Sequence, residues 1–325
     1  MKHVHIMGFG LAGALLAWEL QKLNVLVTSD DLNESETSSR VAAGMITPIT
    51  GRRLKPTWRG SELTQIARAT YSEVETKFGV KLWHEWTLRR VFREEIMRTW
   101  FHERLAHGEY EPMQITDIAP GTHDGVGYPF GGFEHGGVAT VDIPSFVDLM
   151  KPKENSGSAD ADVTVTCTGY RALSSALWSW LPIEPSKGEI LDVTIPGLFL
   201  DHVLTNGTWI LPVGGDKYRI GATHDWDDQD PQPTVRGREK LLEAATQLVH
   251  REIIVTGHRA ALRPSTKFKR PLVGRHPIDT AQAVFTGLGT KGALQGPWAA
   301  RQLARHLAFG EPLDTEIDIQ RWWKS

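Results

Sequence analysis

The sequence holds a single cysteine, Cys167, which excludes an intrachain disulfide, a thiolate metal cluster and a disulfide-stapled scaffold. Long apolar runs are also missing. The most apolar early stretch, Ile6 to Leu20, contains three glycines and Glu19 and is too short and interrupted to cross a bilayer. No basic segment followed by a cleavable apolar one opens the chain, so a cytoplasmic location is expected, with no membrane partner. Neither sign of charge dominates. With 36 Lys and Arg against 39 Asp and Glu, the net charge of -3 offers no field for a polyanion, and no nucleic-acid partner is expected. Low-complexity tails and internal repeats are absent. No G-x-S-x-G elbow occurs, and Cys167 falls on an apolar strand pattern, which leaves nucleophilic catalysis without a candidate. Histidine is plentiful but isolated: His3 with His5, and His224 with Asp225, lack a third ligand at motif spacing, so no metal is expected.

What remains is an ordinary globular composition, 40% hydrophobic and 23% charged, long enough for two intergrown domains or one large α/β unit. His3 to Met7 reads as a buried strand, Leu11 to Leu23 carries apolar residues at helical spacing, and Val25 to Thr28 reads as a second strand. This β-turn-α-β order opens a doubly wound parallel sheet, whose first turn faces a ligand crevice. Helical spacing returns from Glu62 to His107, and a Gly-rich strand-like region follows to Ala139, then a helix at Ile143 to Met150. Lys151 to Asp160 reads as an exposed connection, and Ala161 to Thr168 as a strand. Between Gly188 and Thr223, short strands separated by turn signals predict an antiparallel sheet. Arg238 to Arg251 reads as a helix, Ala283 to Thr286 as a strand, and Pro297 to Leu307 as a closing helix.

Gly8-Phe9-Gly10-Leu11-Ala12-Gly13 fits G-x-G-x-x-G between a strand and a helix. Gly8 serves the tight turn, Gly10 admits a pyrophosphate close to the backbone, and Gly13 lets helix and strand pack, so that the helix N-terminus faces phosphate. An acidic residue ending the second strand would accept hydrogen bonds from a ribose; Asp30 and Asp31 are both placed for it. Ser38-Ser39-Arg40-Val41-Ala42-Ala43-Gly44-Met45 offers hydroxyls and backbone N–H groups followed by small residues, which suits a turn pressed against a flat ring. The Gly287 to Gly292 turn leads toward a helix, whose N–H groups can face negative charge. A planar guanidinium at Arg263 can clamp a carboxylate through two parallel hydrogen bonds, or serve in a structural ion pair.

Four separated blocks, in order, resemble the D-amino acid oxidase and glycine oxidase family of FAD enzymes, with glycine oxidase the nearer likeness. They are the fingerprint, Ser38 to Met45, Trp209-Ile210-Leu211-Pro212 with Ile220-Gly221-Ala222-Thr223, and Ala261 to Pro297. The last contains Leu262-Arg263-Pro264, Pro271 to Pro277 and Gly287 to Gly292. The resemblance implies an α/β fold with a Rossmann-type FAD-binding domain and an inserted antiparallel-sheet substrate domain. Residues 1–55, 140–180 and 258–325 are expected in the first, 56–139 and 181–257 in the second. It implies noncovalent FAD held by Gly8, Gly10, Leu11, Ala12, Gly13, Asp30, Ser38, Ser39, Arg40, Ala43, Gly44 and Met45. Thr168, Gly169, Arg263, Gly287, Gly289, Thr290, Lys291 and Gly292 complete that set.

Arg263 matches the family's carboxylate-binding arginine, and Trp209 matches a substrate-lining tyrosine, with a bulkier wall and no hydroxyl. Thr290 stands where the family often has an arginine, and Gly289 where glycine oxidase has an aromatic. The activity implied is oxidation of the C–N bond of a small amino acid or secondary amine, with O2 as the acceptor. The alternative is a flavin dehydrogenase using another acceptor or acting on a modified macromolecule such as tRNA, for which the Arg52-Arg53-Lys55 loop is the only feature at hand.

Overall fold

Strand β1 (His3–Met7) buries its three middle residues in succession, the chain turns at Gly8, and helix α1 (Leu11–Lys22) follows. Leu11 to Leu20 of α1 are all buried, since the helix is covered on one side by its own sheet and on others by the last helix and by Ile143–Met150. Strand β2 (Leu26–Asp30) returns parallel to β1, pairing His3 with Leu26. The computed structural model describes residues 2–31, 36–152 and 160–324. Within them a five-stranded sheet runs Leu272–Arg275, Gln282–Thr286, Val163–Thr166, β1, β2, and only its Leu272–Arg275 edge is antiparallel. Strands from both ends of the chain therefore share one sheet. No helix of the described residues is long and apolar enough to cross a membrane.

The second sheet has nine strands and is antiparallel except where Val203–Thr205 lies beside Trp83–Val91. One of its edges is the long pair Ile183–Thr194 and Ile254–Thr266, in one register from Ile183 opposite Thr266 to Asp192 opposite Gly257, where an irregularity shifts the pairing so that Val193 faces Val255. The expected boundary at 257/258 falls inside that second strand. Trp83–Val91 corrects the expectation of helix across 62–107: Gly60–Phe78 and Glu95–Ala106 are helices, with a nine-residue strand between them. Its pairing with Gly132–Val141 supplies the non-local contacts that override a charged, helix-compatible sequence. Residues 153–159 of the expected connection lie outside the described residues.

The last helix, Gly292–Phe309, starts five residues before Pro297, which had marked its expected first turn. Proline lacks the N–H that would bond the carbonyl four residues back. Tyr71 supplies the missing donor: its hydroxyl, on a fully buried ring packed edge-on against Phe146, donates to the Ala293 carbonyl at 3.2 Å. Burial alone pushes the Tyr71 hydroxyl above the usual phenol range, keeping it a donor. Tyr71→Phe is expected to cost about 1–3 kcal/mol in urea unfolding, because a buried carbonyl loses its partner. In a Pro297→Ala background the restored N–H should shrink that cost. Equal costs in the two backgrounds would refute the pairing.

Candidate active site

A cavity of about 1050 Å³ opens where the C-terminal ends of β1, β2 and Val163–Thr166 meet the face of the larger sheet. This is the place where open α/β sheets bind ligands, and the volume is at the upper end of small-molecule and cofactor sites. Gly8, Gly10, Leu11, Ala12, Asp30, Ser38, Ser39, Ala43, Gly44, Met45, Thr168, Gly169, Trp209, Arg263, Gly289, Thr290 and Gly292 all line it. Gly13, Arg40, Gly287 and Lys291 do not.

At one end the chain turns tightly into α1. A Cβ on Gly10 would lie 2.9 Å from the Ser39 hydroxyl, and one on Gly13 only 2.5 Å from the Gly8 carbonyl. No acidic residue occupies the first turn of α1, so its positive end stays available to an anion. The Leu11 N–H donates to Ser39 Oγ at 2.9 Å, which ties the Ser38–Val41 turn of helix to the start of α1. Asp30 ends β2 with its side chain 66% exposed and pairs with His5 at 3.2 Å. Asp31 accepts the Phe9 N–H at 3.2 Å and lies 3.4 Å from Lys151 Nζ. Both carboxylates are on the cavity wall.

Arg40 turns away, donating to Asp148 at 2.9 Å and to the Pro144 carbonyl at 3.2 Å. Gly13 and Gly287 serve close packing, the latter against Leu272 and Arg270. Lys291 caps the last helix, with Nζ 3.5 Å from Thr50 Oγ1. Burial, then the nearby charges of Lys269 and Arg270, push its ammonium down to about 8.

The other end is built on the long edge pair of the larger sheet. Arg263 Nη1 donates to the Lys187 carbonyl at 3.2 Å, to the Thr223 carbonyl at 3.3 Å and to His224 Nδ1 at 3.3 Å. Its Nη2 donates to the same Thr223 carbonyl at 3.3 Å. Every one of these acceptors is a carbonyl or a neutral ring nitrogen, and among the described residues no carboxylate pairs with the guanidinium. Burial pushes Arg263 down to about 10, as expected for a cation with no counter-charge. Burial, then the Arg263 charge, also pushes His224 down to about 4, which keeps its ring neutral. Of the five guanidinium N–H groups, Nε–H and the second Nη2–H lack an acceptor among the described residues. These two point the same way, as a bidentate carboxylate requires.

Trp209 is the cross-strand neighbour of Gly221, where a Cβ would come within 2.4 Å of the indole. The ring thus lies flat on its own sheet and forms a wall beside Ile190, Ala222 and Ala261. Sequence reasoning missed Gly188, the Thr223 carbonyl and His224 as neighbours of Arg263, and missed Pro231 and Gln232 on the wall. His224 was visible only as a metal candidate without company. No local pattern points to Gly188.

Residues 132–306 match the family model described as FAD dependent oxidoreductase. Over 183 residues the chain is 28% identical to a glycine oxidase of Bacillus licheniformis, covering 54% of this chain and 49% of that protein. Over 138 residues it is 29% identical to the tRNA 5-methylaminomethyl-2-thiouridine biosynthesis bifunctional protein of Marinobacter nauticus, covering 38% of this chain and 22% of that one. The chain thus spans about half the length, or less, of these curated relatives. Iminodiacetate oxidase from Chelativorans sp. BNC1 is similar in fold, with a TM-score of 0.80, 19% identity and 98% of both chains covered.

Proposed function

This chain belongs to the family of FAD dependent oxidoreductases, and from that premise we propose that it oxidises the C–N bond of a small amine bearing a carboxylate, an amino acid or an N-substituted one. The residues present fit the family's cofactor. A glycine turn too close for side chains, a helix N-terminus with no acid in its first turn, and two carboxylates at the end of β2 follow one another along the cavity wall. Gly8, Gly10, Leu11 and Ala12 would hold the pyrophosphate, Asp30 or Asp31 the ribose, and Ala43, Gly44, Met45, Gly289 and Thr290 the ring. Bound there, FAD would supply the hydride acceptor, with O2 the electron acceptor we favour.

The observation that carries this reading is the unneutralised Arg263 guanidinium on the cavity wall, its Nε–H and one Nη2–H without an acceptor among the described residues. Through Nε and Nη2 it would grip the carboxylate and so fix the direction in which the α-hydrogen points, which is the main demand of a hydride transfer. Trp209, Ile190, Ala261 and Leu288 exclude water from the remainder of the substrate. His224, held neutral, leaves the clamp its full positive charge. No general base beyond the deprotonated amine is invoked.

A macromolecular substrate draws less support. Arg52 is paired with Glu94 at 2.6 Å, which leaves Arg53 and Lys55 as the exposed cations this loop offers a polyanion. The test is anaerobic bleaching of the visible flavin band across a panel of amino acids, N-methyl amino acids and the same amines without carboxylates. Carboxylate-bearing amines should bleach it. A protein with no affinity for FAD, or one reduced equally well by the decarboxylated amines, would sink the proposal.

A further inference from the structure

Arg263 could not lie where it does if any other residue stood at position 188. A Cβ there would be 1.7 Å from Nη2, 2.0 Å from Cζ and 2.4 Å from Nη1, and these three closest atoms all belong to Arg263. Gly188 is otherwise an ordinary strand residue, in register opposite Ala261 within the Ile183–Thr194 and Ile254–Thr266 pair. Its neighbour Lys187 gives its carbonyl to Nη1, and across the strand the Thr223 carbonyl takes both Nη1 and Nη2. The guanidinium is therefore pressed flat onto bare backbone and held by its far end.

We propose that Gly188 is a positioning residue for Arg263: the missing side chain lets the guanidinium lie across the strand, with its Nε and Nη2 edge turned into the cavity. The inference rests on the reading of Arg263 as the substrate's carboxylate clamp. An alanine at 188 lifts the guanidinium off Lys187 and Thr223, and the edge that should meet an anion swings out of line. Since a misplacement of about 1 Å can cost on the order of 10²-fold, a displaced clamp is a large effect for one methyl group.

The experiment uses the FAD-loaded protein and acetate as the probe, with affinity read from the perturbation of the flavin spectrum. Gly188→Ala is expected to weaken acetate binding by about 10- to 100-fold and to raise KM for a carboxylate amine far more than it lowers kcat. In the Arg263→Ala background no guanidinium remains to be displaced, so adding Gly188→Ala should change acetate affinity no further. The double variant should also fold and keep its flavin, even where Gly188→Ala alone does not. Wild-type acetate affinity in Gly188→Ala would overturn the proposal, as would an unfolded double variant or one that binds acetate much more weakly than Arg263→Ala. Unchanged acetate binding in Arg263→Ala itself is a different failure, that of the clamp.

Discussion

Arg263→Ala is expected to lower kcat/KM for a carboxylate-bearing amine by about 10²- to 10⁴-fold while leaving the fold and the bound flavin intact. Each charge-assisted hydrogen bond contributes roughly 1.5–3 kcal/mol, and the open edge can make two. Their loss, at about 1.4 kcal/mol per tenfold, gives that range. Stability should not fall with activity, because the guanidinium is desolvated without a counter-charge; burial is what pushes it down to about 10. One of its acceptors has another donor, since the Asp225 N–H also bonds the Lys187 carbonyl at 3.0 Å. Arg263→Lys keeps a charge but loses the planar fork, so it should recover only part of the deficit. For the matching amine without a carboxylate, the variants and the parent should be nearly equal. Wild-type kcat/KM in Arg263→Ala would remove the residue from the site, and a collapse in Tm would make it a structural residue instead.

The parts legible in the sequence are those in which local pattern and tertiary role coincide. The glycine turn after β1 announces itself because spacing, strand and helix are contiguous, and Asp30 follows because it ends the next strand. Ile143–Met150 is found where expected, with Pro144 in its first turn and the Asp142 side chain accepting the Ser145 N–H. Trp83–Val91 was hidden because its strand character comes from pairing with residues about fifty positions away. The start of the last helix was hidden because the compensation for Pro297 is supplied by Tyr71, 222 residues distant from the carbonyl it satisfies.

At the site, residue types were legible and directions were not. Arg263 could be singled out as a clamp, but which of its edges is open depends on carbonyls at 187 and 223 brought beside it by sheet register. Arg40 sits among cavity residues in the sequence and yet faces Asp148. Lys291 likewise borders the turn that lines the cavity and points to Thr50. A residue's neighbours in sequence determine its chance of reaching a ligand only where the backbone itself would make the contact, as proposed for the cavity-lining Gly8, Gly10 and Gly44.

Gly44 sets up the second large effect, since Gly44→Ala should lose several kcal/mol of stability and the bound flavin with it. The residue has φ of +63°, and a Cβ there would lie 2.0 Å from the Val141 carbonyl oxygen, 2.9 Å from its carbon and 3.0 Å from its nitrogen. All three are backbone atoms of a central strand, which cannot rotate aside as a side-chain tip can. The same Gly44 accepts the Val141 N–H at 3.1 Å, so relieving the clash means breaking the bond that ties the cavity-lining turn to the larger sheet. Gly51 provides the control. Its φ is +74°, but nothing lies within 4 Å of its would-be Cβ. Gly51→Ala should therefore cost only the left-handed conformation, about 1–2 kcal/mol, with flavin retained. Gly44→Ala adds the forced separation of two backbones, bringing the cost to about 4 kcal/mol or more, the range reserved for a few severe mechanisms. The measurement is Tm and flavin content of the two variants side by side. If they lose the same amount, the close approach at Val141 contributes nothing beyond backbone conformation, and the account of how the turn is held against the sheet is wrong.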